Sequence, residues 1–181
     1  MSHFIGSLTL VSLVLVSLVA YGDQQATDKE YIIGGFDFSK KLMKNTQLVS
    51  LLGKGCVDKD YPVFYSRRYY FPKDKVYAAF LIETDNEVVG LRLTSEPIVP
   101  TNCKAKRRLS SFKTGKWIAL GDEKNKVVNA YGKPTYEIQA NGILIHKYYR
   151  APQDDTVEEG PYMEIQFIKD RVISILITVG D

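Results

Sequence analysis

Side chains that could carry out acid–base or nucleophilic catalysis are sparse in this sequence. His146 is the one histidine outside the extreme amino terminus, and no nucleophile adjoins it in the sequence. The carboxylates clustered at 154–159 fall on a predicted loop, where nothing desolvates them to raise their pKa. We therefore predict no catalytic residues and a protein that is not an enzyme. The alternative is a small secreted enzyme or ligand-binding protein with a site near His146.

Motifs for cofactors and metals are also missing from the sequence. It contains no glycine-rich phosphate loop, no Cys-x-x-Cys pair and no His-x-x-x-His pair. The acidic run Asp154-Asp155-Thr156-Val157-Glu158 lacks the alternating oxygen ligands of an EF-hand loop. We predict no cofactor and no metal site, and we interpret the acidic run as a solvated loop.

The two cysteines, Cys56 and Cys103, are the strongest chemical signal. In an oxidising compartment two such cysteines are expected to form a disulfide, and the alternative is a pair of buried free thiols. On the chain-entropy estimate, closing a loop of this length stabilises the fold by roughly 4 kcal/mol.

The amino terminus predicts that compartment. Phe4–Ala20 is almost continuously apolar, and Ala20-Tyr21-Gly22 places small residues before a cleavage point that follows Gly22. This pattern is typical of a secretory signal peptide over 1–22, although no Lys or Arg precedes the apolar run. An uncleaved membrane anchor is the alternative. We predict a secreted or periplasmic cell-envelope protein without a membrane span after cleavage.

Composition bears on the partner. The net charge of +3 is too small to indicate binding of nucleic acid. Twelve tyrosines are many for a chain of 181 residues. Core packing and strand preference explain most of them, and an aromatic protein-binding surface is the sharper interpretation. The predicted partner is therefore another protein.

A repeat organises the chain. The passage 48–71 resembles the passage 127–150, with Gly53-Lys54 matching Gly132-Lys133 and every matched pair 79 residues apart. We interpret the chain as two copies of one helix-then-strand unit. The predicted segments are a flexible N-terminal segment at 23–35, a first repeat at 36–93, a connector at 94–117 and a second repeat at 118–181.

Each copy is predicted to begin with a helix. Asp37 or Ser39 can cap a helix that runs to about Leu52, and Asp122 can cap a shorter helix that ends near Tyr131. Strand composition follows each helix. The predicted strands cover 63–71, 76–83, 88–93, 135–139, 143–150, 162–168 and 172–179, and the dipeptide Asn141-Gly142 predicts a two-residue hairpin turn between two of them.

Paired tyrosines are the best candidates for partner binding. Adjacent strand residues point to opposite faces, so each Tyr-Tyr pair offers one ring to the core and one to the outside. Aromatic rings bury a large area at a small cost in conformational entropy. The predicted partner-binding residues are Tyr69, Tyr70, Trp117, Tyr148 and Tyr149.

Two motifs carry a family resemblance. The second copy has a helix ending in Val-x-x-x-Tyr-Gly-Lys-Pro and a strand meander closing in Phe-Ile-Lys-Asp-Arg-Val-Ile-Ser-Ile. Together they resemble the SmpA/OmlA (BamE) family of envelope proteins, in which a helix precedes an antiparallel sheet. The duplication is similar to that of the β-lactamase inhibitor protein, whose two helix-plus-four-strand repeats form a curved sheet that grips an enzyme. The resemblance covers about 36–179.

The sequence departs from both families. It has no cysteine near the cleavage point to carry a lipid, and its predicted disulfide joins the first repeat to the connector instead of lying within a repeat. The resemblance implies an α+β fold of two tandem repeats, each a helix packed on an antiparallel sheet of about four strands, which could merge into one curved sheet. It further implies a non-catalytic protein-binding module, such as an enzyme inhibitor or an envelope-assembly factor.

Overall fold

The computed structural model describes residues 31–38, 43–59, 64–149 and 162–179. The predicted signal peptide at 1–22, most of the predicted N-terminal segment and the acidic loop at 154–159 lie outside these ranges. Within them, no helix has both the length and the apolar composition needed to cross a membrane.

Ten strands and two helices make up the described part of the chain. The helices are α1 (Asn45–Leu52) and α2 (Lys124–Tyr131), each of eight residues. A small hairpin, β1 (Ile32–Ile33) with β2 (Phe36–Asp37), precedes α1. The remaining strands are β3 (Cys56–Asp58), β4 (Phe64–Phe71), β5 (Val76–Glu83), β6 (Val88–Thr94), β7 (Tyr136–Ala140), β8 (Ile143–Tyr149), β9 (Tyr162–Ile168) and β10 (Arg171–Thr178).

Eight of these strands form one antiparallel sheet in the order β3-β4-β5-β6-β10-β9-β8-β7. Within each half, neighbouring strands are consecutive in the chain, so hairpins build both halves. The halves join where β6 pairs with β10, with Leu93 opposite Ile175 and Leu91 opposite Ile177. β3 and β7 are therefore the two edges of the sheet.

The predicted fold class was wrong. The sequence predicted an α+β fold of two helix-on-sheet repeats, whereas the described chain is mainly antiparallel β, with a single eight-stranded sheet and two short helices. The prediction overestimated the helices because it began the first helix at Asp37 or Ser39. Phe38 is instead buried in the core just after β2.

Helix α1 starts later than predicted, at Asn45, and neither Asp37 nor Ser39 is its N-cap. Lys44 occupies that position, and its backbone N–H donates to Gln47 Oε1 at 3.0 Å. Leu48 and Leu52 are fully buried. Gly53 ends the helix with φ of +89°, a conformation that glycine adopts without a Cβ penalty.

Helix α2 also differs from its predicted cap. Glu123 is the N-cap residue, while the Asp122 carboxylate accepts a hydrogen bond from the Ala119 N–H at 2.8 Å. Val127 is the residue of α2 that is fully buried, and the helix ends at Gly132 as predicted. Isolated helices of eight residues are marginally stable in water. Burial of Leu48 and Leu52 in α1 and of Val127 in α2 therefore stabilises these two helices.

Strand register divides the sheet into two faces. One row of directly opposed residues on the helix-covered face runs across seven strands and comprises Tyr69, Ala78, Leu93, Ile175, Ile165, His146 and Glu137. Most of this row is fully buried and belongs to one apolar core that spans both halves. We call the opposite side of the sheet the open face.

The connector crosses from the open face to the helix-covered face around the β4 edge. The Ile98 carbonyl accepts from the Arg68 guanidinium at 3.2 Å, and the Cys103 carbonyl accepts from the Tyr70 N–H at 2.8 Å. Cys103 forms the predicted disulfide with Cys56, with a Cα–Cα distance of 5.5 Å. Further along, Leu109 is buried in the core. The connector therefore passes over the open face of the first half at Ile98 and reaches the helix-covered face by Leu109.

Candidate functional site

His146, the candidate residue of the alternative enzyme or ligand-binding function, is packed inside the protein. Its side chain is 1% exposed and lies against the Phe167 ring at 4.8 Å between centroids. Nδ1 lies 3.3 Å from the Tyr148 hydroxyl, and Nε2 lies 2.9 Å from a Glu137 carboxylate oxygen without aligning as a hydrogen bond. Burial lowers the pKa of His146 despite the attraction of Glu137.

The His146 ring is packed against neighbouring side chains and does not line the depression beside Glu137 and Phe167. A shallow depression of about 270 Å³ lies nearby, beyond Glu137 and Phe167. Its walls are mainly polar and include Lys124 at the start of α2 and Lys169 and Asp170 in the turn between β9 and β10. An acid–base catalyst must reach its substrate, and His146 is separated from solvent by Phe167 and Tyr148. The geometry therefore gives no support to a reaction centred on His146.

The first tyrosine of each predicted pair lies on the helix-covered face. Tyr69 is fully buried and its hydroxyl donates to the Gly53 carbonyl at 2.8 Å, which anchors the end of α1 to the sheet. Tyr148 packs against Tyr131 of α2, with ring centroids 5.4 Å apart. Burial raises the pKa of both hydroxyls to about 12. Both side chains are positioned to stabilise the core.

The second tyrosine of each pair lies on the open face. Tyr70 stacks on Tyr77 at 4.7 Å between ring centroids, and the connector passes beside it. Tyr149 lies in the other half of the sheet, where its ring contacts Tyr162 at 5.5 Å and Tyr136 at 5.6 Å. The sheet therefore places Tyr70 and Tyr149 in different surroundings, one beside the connector and one in a cluster of rings.

We call this cluster the tyrosine face, defined by Tyr136, Ile138, Ile145, Tyr149 and Tyr162. These residues come from β7, β8 and β9, and strand register places all of them on the open face. Tyr136 is 56% exposed and Ile138 is 44% exposed, which are high values for side chains of this size. The Tyr149 ring contacts both other rings, so the three tyrosines form one continuous aromatic surface.

A charged row borders the tyrosine face. Glu164 lies between Arg92 and Lys147, and each cation is 3.8 Å from one of its carboxylate oxygens. The Gln166 amide also donates to Glu164 at 2.7 Å. Lys147 Nζ lies 5.7 Å from the centre of the Tyr162 ring. Two cations around one buried carboxylate give the border a net positive charge.

Trp117, another predicted partner-binding residue, lies away from the tyrosine face. It is 69% exposed in the turn that precedes α2, and its carbonyl accepts from Lys126 Nζ at 3.2 Å. The Lys113 ammonium lies 5.5 Å from the centre of the indole ring. Trp117 therefore belongs to the side of the sheet that α2 covers.

Sequence reasoning did not single out Tyr136, Ile138 or Tyr162. The signal was present, because the Asn141-Gly142 turn fixes the register between β7 and β8. With Ala140 opposite Ile143, position 136 falls opposite 147 and on the same face as 149. Tyr162 could not be placed in this way, since a long loop separates β8 from β9.

The chain is similar in structure to proteins of known structure and matches none by sequence. No protein-family model and no curated protein sequence matches the chain. Among solved structures, the chain is similar to a DUF4309 family protein (YjgB) from Bacillus subtilis, with 8% identity and a TM-score of 0.49 over 75% of this chain and 78% of that one. It is also similar to a candidate beta-lactamase inhibitor protein from Streptococcus mutans, with 11% identity and a TM-score of 0.26 over 74% of this chain and 80% of that one. The resemblance to the BamE family and the tandem duplication stay predictions.

Proposed function

We propose that this protein is a non-catalytic protein-binding module and that the tyrosine face is its contact surface. The observation that carries the proposal is the exposure of Tyr136 and Ile138 beside two further tyrosines on adjacent strands. A soluble protein seldom leaves large apolar side chains grouped on a regular sheet face unless they bind something. The sheet backbone holds these side chains in place before a partner arrives.

The residue types suit protein recognition. Tyrosine and isoleucine on a rigid strand bury a large area while losing little conformational freedom, and tyrosine is enriched in binding hot spots. The positive border formed by Arg92 and Lys147 favours a partner with acidic groups around an apolar centre. A partner of this kind would place apolar side chains on Ile138 and carboxylates beside Lys147.

We place the protein outside the cytoplasm, in the periplasm or the secreted fraction. The Cys56–Cys103 disulfide supports this location, because structural disulfides persist in oxidising compartments. The apolar run at 4–20 supports it from the sequence. Inhibition of a secreted enzyme and assistance in envelope assembly are two activities that a binding face of this kind can perform there.

Affinity capture tests the proposed contact surface. The full chain, tagged at its carboxyl terminus and expressed in its own host, is used to capture proteins from native envelope and secreted fractions. A variant with Tyr136→Ala, Tyr149→Ala and Tyr162→Ala is compared with a Trp117→Ala variant. All proteins are first checked for folding by circular dichroism.

We expect a protein that the native chain and the Trp117→Ala variant retain and that the triple tyrosine variant loses. Trp117 is the matched control because it is the most exposed aromatic side chain in the described part of the chain and lies outside the tyrosine face. Equal retention by the triple variant, or loss with Trp117→Ala alone, would show that the contact surface lies elsewhere.

A further inference from the structure

The outer edge of β7 carries backbone groups without partners in the described structure. β7 is the last strand of the sheet, and all five of its residues are exposed. The other edge differs. β3 has three residues, and the Cys56–Cys103 disulfide links it to the connector. Beyond the end of β3, the connector pairs with β4 at Tyr70. An exposed edge is a template on which another strand can pair. β7 is therefore the edge of this sheet that is open to extension.

The register of β7 determines which backbone groups point outward. Asn141 and Gly142 have φ of +51° and +78°, as a two-residue type I′ turn requires, so Ala140 and Ile143 form the hydrogen-bonded pair next to the turn. Bonding alternates along an antiparallel pair, so Ile138 also bonds inward to β8. The N–H and C=O groups of Glu137 and Gln139 consequently point away from the sheet.

We propose that two copies of this chain pair through β7 in an antiparallel arrangement, with a two-fold axis at Ile138. In that register Glu137 of one copy lies opposite Gln139 of the other, and the reverse pair forms across the axis. The outward N–H and C=O groups of these residues meet as hydrogen-bonded pairs. The eight-stranded sheets then join into one sheet of sixteen strands.

The side chains of β7 are self-complementary in the same register. On the helix-covered face, the Glu137 carboxylate meets the Gln139 amide, which can donate to it, and no like charges are opposed. On the open face, Ile138 meets Ile138 of the second copy and Tyr136 meets Ala140. All of these residues are exposed in the single chain. A different protein strand would have to reproduce this pattern, whereas a second copy supplies it by symmetry.

The strand has few of the features with which sheet edges usually prevent pairing. Between Tyr136 and Ala140 there is no proline, no lysine and no bulge that twists the strand away, and Glu137 is its one charged residue. A five-residue edge buries a modest area, so we expect a reversible dimer that depends on protein concentration. The proposal does not rest on the proposed function, although the dimer would place two tyrosine faces side by side.

Charge substitutions at position 139 test the register. Gln139→Glu opposes two carboxylates across the axis, twice by symmetry, while Gln139→Lys creates two attractive pairs at the same sites. Like charges directly opposed on two strands are destabilising, so the two such pairs in Gln139→Glu should together weaken dimerisation roughly tenfold. Gln139→Lys should preserve or tighten it. Asn129→Glu, at an exposed position of α2, is the control and should leave the dissociation constant unchanged.

Sedimentation equilibrium over a range of concentrations measures these dissociation constants on the full chain.

Disulfide trapping checks the geometry of the dimer independently. Both native cysteines are bonded to each other, so Ile138→Cys introduces a single free thiol at the axis. Non-hydrogen-bonded antiparallel partners have Cα atoms about 4.5 Å apart, which is within disulfide range. We expect rapid formation of a covalent dimer by Ile138→Cys and slow formation by Ile168→Cys, another exposed isoleucine.

Three outcomes would overturn the proposal. A mass of one chain at every concentration would exclude the dimer. Equal dissociation constants for Gln139→Glu and Gln139→Lys would show that any dimer uses another surface. Trapping of Ile138→Cys no faster than Ile168→Cys would exclude the two-fold axis at Ile138. Gln139 points to the helix-covered face, so Gln139→Glu should not alter the tyrosine face. If this variant loses dimerisation but still captures the partner protein, the dimer and the partner-binding function are independent.

Discussion

His146 is a buried titratable residue that contributes to the pH dependence of stability. It is buried in β8 between β7 and β9, and burial lowers its pKa from the ordinary value of 6.5. The groups that face it are the Glu137 carboxylate, the Tyr148 hydroxyl and, at longer range, the Lys124 ammonium. The folded protein therefore favours the neutral imidazole, whereas the unfolded chain protonates it readily.

This difference predicts a loss of stability on acidification. Because the unfolded state binds the proton more strongly, the contribution of His146 is fully present above pH 6.5 and declines as pH falls through and below that value. We expect His146→Asn to show a smaller decrease in the free energy of unfolding between pH 7 and pH 5 than the native chain. Urea unfolding at each pH measures this, and parallel pH profiles would contradict it.

Tyr69 predicts a residue-scale effect of another kind. Tyr69→Phe keeps the buried ring but removes the donor to the Gly53 carbonyl. Leaving a buried acceptor without a partner costs about 1 to 2 kcal/mol of stability. Tyr70→Phe is the matched control, since its ring stacks on Tyr77 at the open face and the change should cost under about 0.5 kcal/mol. Thermal unfolding of both variants measures the difference, and equal costs would contradict the assigned role of Tyr69.

At the scale of elements, the sequence predicted strands more reliably than helices. Seven predicted strands are confirmed to within about two residues, because alternation of apolar residues and turn dipeptides such as Asn141-Gly142 act locally. The start of α1 was predicted several residues early. Phe38 has the spacing of a helix face, but tertiary packing places it beside β1 and β2.

The candidate site was harder to predict from the sequence than the strands, because it depends on how the strands pair. The pairing of β6 with β10 and of β8 with β9 depends on contacts between distant segments, which no local pattern encodes. Alternation shows that Tyr69 and Tyr70 point to opposite faces, but it does not show which face the helices cover. The hairpin turn can place Tyr136 on the face of Tyr149, whereas the addition of Tyr162 to this cluster emerges only with the sheet.

The connector is the element that the disulfide holds in place. Cys56 and Cys103 are 47 positions apart in the sequence. A disulfide that closes a loop of this size lowers the conformational entropy of the unfolded chain and so stabilises the fold by about 4 kcal/mol. We expect the double variant Cys56→Ser, Cys103→Ser to lose a stability of that order in urea unfolding. Reduction of the disulfide in the native chain should lower its free energy of unfolding by a similar amount. A loss below about 1 kcal/mol in both would show that the contacts of the connector, and not the disulfide, hold it.

At the scale of the whole molecule, the two halves share one core and one sheet. Leu91 and Leu93 of β6 pack beside Ile177 and Ile175 of β10, and the buried cluster continues from α1 to α2 without a break. A continuous core of this kind is expected to unfold in one cooperative transition. Amide hydrogen exchange should therefore give similar free energies of opening for the central strands of both halves, β5 and β9.

Gly90 provides the test of this coupling, because it lies in β6 at the junction of the halves. A Cβ at position 90 would lie 3.0 Å from the Ile177 carbonyl oxygen and 3.2 Å from side-chain atoms of both Leu81 and Thr178. Gly90→Val should therefore cost about 1 to 3 kcal/mol through overpacking, and Gly90→Ala should cost less. Since β6 touches both halves, hydrogen exchange of β5 and β9 should accelerate together in each variant. Acceleration in β5 alone, or two separate unfolding transitions, would mean that the halves are independent folding units that merely share a sheet.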